Sequence, residues 1–495
     1  ALVSFRHAFT PDLNFSGNVG GSIQESRYEE VYTDANGLNK ANFFEMSNAK
    51  APIVTTDHGR SPQIQALYAT ATLSYRDYLF LDVTARNDWS SALPKGNQSY
   101  FYPSIGLIGI LSDIFTMPSW ISYGKARVSY ANAGSGGNQY LNQNYYTVGA
   151  GGLILTPTIQ SFNTYKPEIT SSTEVGLEWR FFNSRFGFDV TYYDSRTKNQ
   201  LLLIGAPSAS LYDQRYINAG LIQNYGVEAL ITATPIRSDN FSWDASINYA
   251  KNNNKVIRLT DDISSVIIRD DRLATIRVTE GDRYGDMYSK AWRRDEQGRR
   301  LVDNNGSPLL TAGKDLLVGN FNPNYMLGFS NNFRYRDFSL SFLLDYRNGG
   351  VVLSGTQALI DADGHSKNSL EGRENGLVLD AYTVDGERND KTISAQTYWS
   401  AIGDRYPTGE LYTYSATNLR LREVVLGYSV PSELLSGSRF IKGARLSLVG
   451  RNLFFLQREA PFDPELTLGT GNGGGLEYGS LPSTRSFGFN LRLSF

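Results

Sequence analysis

The feature that most restricts this chain is a strict two-residue alternation of apolar and polar side chains, held over about ten residues at a time. At the C-terminus Phe487, Phe489, Leu491, Leu493 and Phe495 alternate with Gly488, Asn490, Arg492 and Ser494. Thr173, Val175, Leu177, Trp179 and Phe181 face one way, and Ser172, Glu174, Gly176, Glu178 and Arg180 the other. Phe338, Leu340, Phe342, Leu344 and Tyr346 repeat the pattern against Ser339, Ser341, Asp345 and Arg347. Strands of globular proteins average about five or six residues. A membrane-crossing strand needs about 9–11, with an apolar outer face and a polar lumen face. The charges carried mid-strand fit a wet lumen better than a dry sandwich core.

Fifteen such strands are predicted: 1–9, 13–25, 66–76, 78–88, 99–111, 124–134, 171–182, 185–198, 216–236, 241–251, 322–336, 338–350, 418–430, 441–456 and 483–495. In 418–430 the phase slips. Leu419 and Leu421 are odd-numbered, whereas Val424, Leu426 and Tyr428 are even-numbered, and a bulge near Glu423 accounts for this. The connections alternate short and long. Asp77, Asn183-Ser184, 237–240, Asp337 and 431–440 are short; 26–65, 135–170, 252–321 and 351–417 are long. Outer-membrane barrels have short periplasmic turns and long extracellular loops. With the last strand ending in the periplasm, every long connection falls outside, and the segment 112–123 is the largest periplasmic exception. The expectation is an all-β fold, a transmembrane antiparallel β-barrel.

Composition supports this reading. The 495 residues include 31 Tyr, 26 Phe and 47 Gly, with a hydrophobic share of only 41%. Tyr and Trp favour membrane–water interfaces. Tyr75, Tyr78, Tyr130, Tyr192, Tyr249, Tyr335 and Tyr346 are expected near strand ends, as a girdle. No run of 18 apolar residues occurs, which excludes a transmembrane helix. The net charge of -2 gives no support for nucleic-acid binding. The absence of Cys removes thiolate metal sites and Cys nucleophiles. His7, His58 and His365 leave little room for His-based chemistry.

Ser415-Ala416-Thr417-Asn418-Leu419-Arg420-Leu421-Arg422-Glu423-Val424-Val425-Leu426-Gly427-Tyr428 and Ala444-Arg445-Leu446-Ser447-Leu448-Val449-Gly450-Arg451-Asn452-Leu453-Phe454 resemble the SusC-type (SusC/RagA family) TonB-dependent outer-membrane transporters. Asp463-Pro464-Glu465, Leu481 to Asn490, Arg86-Asn87-Asp88-Trp89 with Tyr102-Pro103-Ser104, and Asn322-Pro323-Asn324-Tyr325 extend the resemblance from about residue 60 to the end. The resemblance implies a 22-stranded barrel around an N-terminal plug. It also implies a TonB-contacting segment, a SusD-type surface lipoprotein lid and import of oligosaccharides or peptides. The plug, the TonB-contacting segment and the first strands have no counterpart here. Residues 1–495 are therefore expected to be the C-terminal part of a longer receptor, lodged in the outer membrane of a Gram-negative bacterium.

The chemistry-bearing patterns are sparse. Gly-rich 469–475 lacks the Lys of a phosphate loop and reads as a flexible extracellular loop. Asp303-Asn304-Asn305-Gly306 and Asp361-Ala362-Asp363-Gly364 resemble the start of a calcium loop but lack its closing Glu, so plain turns are expected. No catalytic residue, metal site or cofactor is assigned, and the chain is not expected to be an enzyme. Lumen-face charges, among them Asp82, Arg86, Glu174, Glu178, Arg180, Asp189, Asp244, Arg334, Asp345, Arg347, Arg445 and Arg451, read as solvated wall or as contacts to a plug or substrate. Trp292, Trp399, Tyr406, Tyr412 and Tyr414 are candidates for stacking sugar rings or touching a lid, against packing inside folded loops. Phe487, Phe489 and Phe495 form a candidate barrel-assembly signal. Two other functions compete: a passive porin or surface adhesion scaffold, and a soluble propeller or lectin. The latter predicts short strands and a repeat of about 40–50 residues, which the sequence lacks.

Overall fold

A computed structural model describes residues 1–35, 37–137, 141–148, 152–207, 209–438 and 440–495. All fifteen predicted strands are present: β1 (Leu2–Thr10), β2 (Leu13–Gln24), β3 (Ile64–Tyr75), β4 (Leu79–Ser90), β5 (Ser99–Ile110), β6 (Ile121–Ser135), β7 (Glu168–Phe181), β8 (Phe186–Gly205), β9 (Gln214–Arg237), β10 (Phe241–Arg258), β11 (Tyr325–Tyr335), β12 (Phe338–Asn348), β13 (Asn418–Val430), β14 (Gly443–Arg458) and β15 (Ser486–Ser494). No helix among the described residues is long and apolar enough to cross a membrane. The chain divides into two compact units. One holds residues 1–107, 129–171 and 197–219, the other 108–128, 172–196 and 220–495.

In the first unit β1, β2, β3 and β4 pair antiparallel, each with the next. The β3–β4 turn is Arg76-Asp77, both at positive φ, a geometry that matches the twist of a tight hairpin. The long connection 26–65 is not all loop, because Arg27–Ala35 and Pro52–Arg60 form a further hairpin within it.

In the second unit β9 to β15 pair antiparallel in chain order. The register puts Phe241 opposite Tyr335, Tyr335 opposite Phe338, and Phe338 opposite Tyr428. This aromatic row marks the end that carries the short connections. Tyr249, Tyr325 and Tyr346 cluster at the other end, with ring centroids 5.8 and 6.0 Å apart. From Phe338 to Tyr346 is about 27 Å of strand, and tilt leaves about 20 Å across the membrane, close to the expected apolar band. Tyr249 lies mid-strand, as does Tyr192, because β8 and β10 run on to Gly205 and Arg258, past the predicted ends at 198 and 251. The extra length projects beyond the apolar band, where no side-chain alternation is needed to signal it. The long connection predicted as 252–321 therefore starts only at 259.

The predicted bulge is found. Pairing of β12 with β13 slips, Leu343 facing Glu423 and Leu344 facing Leu421. Arg422 is the extra residue, so Arg422 and Glu423 both serve the polar face while Val424 and Leu426 recover the apolar one. A second bulge, between Ala233 and Ile236, absorbs Pro235, which has no N–H for the ladder.

Asn331 is a polar residue on the apolar face. It is buried there between Trp243 and Phe342, and its Oδ1 accepts the Trp243 indole N–H at 3.0 Å. The Trp243 ring stacks on Phe333 at 5.5 Å.

Val424 lies on the apolar face near the middle of the span, opposite Phe342 and Gly450. Val424→Arg is expected to destabilise the folded receptor in lipid vesicles by about 2–4 kcal/mol, and Ser341→Arg on the polar face by well under half of that. Urea unfolding followed by Trp fluorescence reads the difference. Equal costs for the two would contradict the assignment of faces.

Candidate functional site

On the polar face of the second unit several charges are paired, whereas Arg347 donates to the Phe321 carbonyl at 2.8 Å and its buried Nε has no acceptor among the described residues. Glu178 accepts Lys125 at 2.5 Å and Arg180 at 2.8 Å. Arg127 bonds Asp189 at 2.7 Å and lies over Gly176, where a Cβ would come within 2.4 Å of its Nε. Arg451 meets Glu423 at 2.8 Å. Asp244 accepts the Thr234 hydroxyl at 2.6 Å, and Arg445 donates to Ser339 at 2.7 Å. In the first unit Asp82 accepts the Thr72 hydroxyl at 2.6 Å, and Arg86 pairs with Asp88, also 2.6 Å away. Such pairs each contribute modestly, about 0.2–1 kcal/mol where water reaches them.

One network is deeply buried. Arg420, 3% exposed, sits 3.1 Å from both Asp463 and Glu465 and donates to Ser483 at 3.3 Å. Arg422 bonds Asp345 at 2.6 Å and also Glu465. Two arginines of β13 thereby hold the Asp463-Pro464-Glu465 segment against the wall. Neither arginine was among the predicted lumen charges. The signal was present, since the phase slip that demands a bulge also turns Arg422 inward beside Glu423.

The long connections of the second unit fold together. Ser265–Asp270, Thr275–Thr279, Asp286–Ser289 and Leu316–Asn320 make a small antiparallel sheet. Val351–Ser354 pairs with Thr413–Ser415 and, in parallel, with Leu476–Glu477. Helices α1 (Gly355–Ala362) and α2 (Ala395–Ile402) are capped by Ser354 and Ser394, whose hydroxyls accept the Gln357 and Thr397 N–H groups. One core gathers Leu273, Ile276, Met287, Phe321, Leu353 and Leu476. Another gathers Ala358, Trp399, Ile402 and Tyr412.

This packing decides where the five candidate aromatics lie. Trp292 is 3% exposed, and its indole donates to the Leu301 carbonyl at 2.7 Å. Arg300 covers its ring at 4.7 Å. Trp399 and Tyr412 are buried in the second core. Tyr414 is half-buried, edge-on to Phe462 at 5.5 Å. These four sit inside the loop layer, as the packing alternative has it. Tyr406 alone of the five is open, at 60% exposure, with Lys290 over its ring at 5.9 Å. Burial pushes the Tyr414 hydroxyl up to about 12 and raises that of Tyr412 too, where the negative charge of Asp361 adds to the effect. Burial likewise raises Asp286.

The glycine run 469–475 is not the free loop expected. Asn472 accepts the Tyr284 hydroxyl, and a Cβ on Gly475 would lie 2.6 Å from both Met287 Sδ and Phe321 Cβ. Glycine is needed there for close approach to the core. The Asp303 carboxylate accepts the N–H groups of Asn305 and Ser307, both at 2.9 Å, which makes a plain Asx turn. Asp361 is buried at the end of α1 and accepts from Gln357 at 2.7 Å. Among the described residues no group of three His, Asp or Glu side chains converges as a metal site would require. Phe487, Phe489 and Phe495 are exposed along β15 and its end.

A family model described as TonB dependent receptor-like, beta-barrel matches residues 2–276. The TonB-dependent receptor P26 of Formosa agariphila is 26% identical over 96% of this chain and 50% of its own length. The TonB-dependent receptor SusC of Bacteroides thetaiotaomicron is 24% identical over 84% of the chain and 42% of its own length. The RagAB peptide importer in its closed-closed state superposes with a TM-score of 0.77 at 19% identity, over 100% of this chain and 55% of its own. The chain spans about half the length of the curated relatives it matches.

Truncating Arg420 leaves Asp463 buried without its cation. Arg420→Met is expected to cost about 3–5 kcal/mol locally and to speed proteolysis within 459–485 by at least tenfold. Limited chymotrypsin digestion of the folded receptor, which can cut at Phe462, Leu466 or Tyr478, measures this, and an unchanged cleavage rate would show that the network does not hold the segment.

Proposed function

The chain belongs to the TonB dependent receptor-like β-barrel family, and on that premise we propose that it forms the wall and outer loop layer of an outer-membrane active importer. Its substrates are oligosaccharides or peptides. A surface lipoprotein of the SusD type acts as a lid, and TonB supplies the energy through a plug belonging to the rest of the receptor. The protein performs no covalent chemistry of its own.

The observation that carries this reading is the folded loop layer. Connections 259–324, 349–417 and 459–485 share strands and cores, as a rigid platform for a lid or substrate requires. A passive pore has no need of such a layer. Tyr406, exposed beside Lys290, is the open aromatic of that layer and the proposed contact to lid or substrate. The outward Phe487, Phe489 and Phe495 are the proposed assembly signal on the last strand.

Cells carrying the full receptor are expected to take up labelled oligosaccharides or oligopeptides only when TonB is active, with Tyr406→Ala lowering uptake severalfold. Large diffusive flux through the receptor in liposome-swelling assays, without TonB, would favour a porin instead. Deleting Phe495 is expected to reduce the outer-membrane level of the receptor at least threefold in fractionated cells. Normal assembly of the truncated protein would remove the signal assignment.

A further inference from the structure

A cavity of about 400 Å³ lies in the second unit between β13, β14, the start of α1 and the segment 459–485. Its size falls within the range of small-molecule pockets. Its apolar wall includes Phe454, Phe455 and Phe462, and its cations are Arg420, Arg458 and Arg485.

The charges around it do not cancel evenly. Glu477 is buried and accepts the Ser354 and Thr356 hydroxyls, but its negative charge has no cation partner among the described residues. Asp463 lies 3.1 Å from Arg420 in an ion pair, but its buried Oδ2 has no hydrogen-bond donor among the described residues. Arg458 and Arg485, by contrast, form no ion pair among the described residues, although both line the cavity. Arg458 is also held in place. Its guanidinium lies 5.3 Å from the Phe455 ring centroid and donates to the Pro461 carbonyl at 3.1 Å. Arg420 covers the same ring at 4.6 Å. The buried Nε of Arg420 has no acceptor among the described residues. Three guanidiniums against two carboxylates leave the lining with one net positive charge, and with apolar walls beside it the cavity suits an anion on a compact body.

We propose that this cavity binds a carboxylate joined to a single ring or apolar side chain, held by Arg458 and Arg485 and seated on the phenylalanine wall. The C-terminal residue of a short peptide and an acidic sugar both present this group. The site stands apart from the import reading, since binding here requires neither TonB nor a lid.

Calorimetry on the intact detergent-solubilised receptor tests the proposal with four probes. N-acetyl-L-phenylalanine is compared with its uncharged amide, and D-glucuronate with D-glucose. The acid of at least one pair is expected to bind at least tenfold more tightly than its neutral partner, and which pair responds tells the peptide source from the sugar source. The double variant Arg458→Ala/Arg485→Ala is expected to lose that preference, while Arg458→Lys/Arg485→Lys retains part of it. Both arginines lie at exposed positions, so the variants keep the buried Arg420 network and the fold. Equal binding of acid and neutral partner in both pairs overturns the proposal. So does an acid preference that survives in the alanine variant, or no binding of any probe at millimolar concentration.

Discussion

In a hydrocarbon layer no water is present to satisfy backbone N–H and C=O groups, so every one must bond within the protein. That single requirement shapes the rest of this molecule. It forces each crossing segment into a ladder with its neighbours. It fixes the side-chain period at two, so that one face meets lipid and the other water. It also tolerates few interruptions. Where the chain does interrupt a ladder, at Arg422 and near Pro235, it inserts a bulge and keeps pairing on both sides. The same cost explains why the Oδ1 of Asn331, a polar side chain on the apolar face, is bonded by Trp243, although its buried Nδ2 has no acceptor among the described residues.

The bulge at Arg422 links the wall to the outer loops. Without the extra residue, β13 would present Arg420 and Arg422 on the polar face but carry Val424 there as well. With it, the apolar register is restored and Arg422 and Glu423 sit together facing inward. Arg422 then bridges Asp345 of β12 and Glu465 of the outer segment, while Glu423 takes Arg451 of β14. A local correction of register thus becomes an anchor between strand and loop. The desolvation cost of burying Arg420 is offset by two carboxylates and a hydroxyl, and such geometry is sensitive to loss of either partner.

The strands were legible because their physics is local. Alternation at Phe338 to Tyr346 or Phe487 to Phe495 can be read from the residues themselves, and the phase change at 421–424 located the bulge. The ends of β8 and β10 were not legible. Beyond the apolar band, residues 199–205 and 252–258 are no longer sorted by lipid, so the period that announces a strand fades while the ladder continues. The loop layer was illegible for a related reason. Trp292, Trp399 and Tyr412 look like surface aromatics in a long polar connection, and only long-range pairing, such as Leu353 with Leu476, shows that they fill cores. The glycine run misled in the same way. Gly475 is small because Met287 and Phe321 press on it, which composition alone cannot reveal.

The folded loop layer gives the unpaired arginines their meaning. Arg458 ends β14, and Arg485 lies just before β15, both exposed. Here Phe455 fixes Arg458 from one side and Arg420 from the other, and Arg420 is itself locked by Asp463 and Glu465. The buried ion network therefore does two things at once. It ties the segment 459–485 to the wall, and it holds a cationic rim over an apolar cavity. Rigid placement of charge before a ligand arrives is what lets a few hydrogen bonds discriminate, because little side-chain entropy remains to be lost on binding.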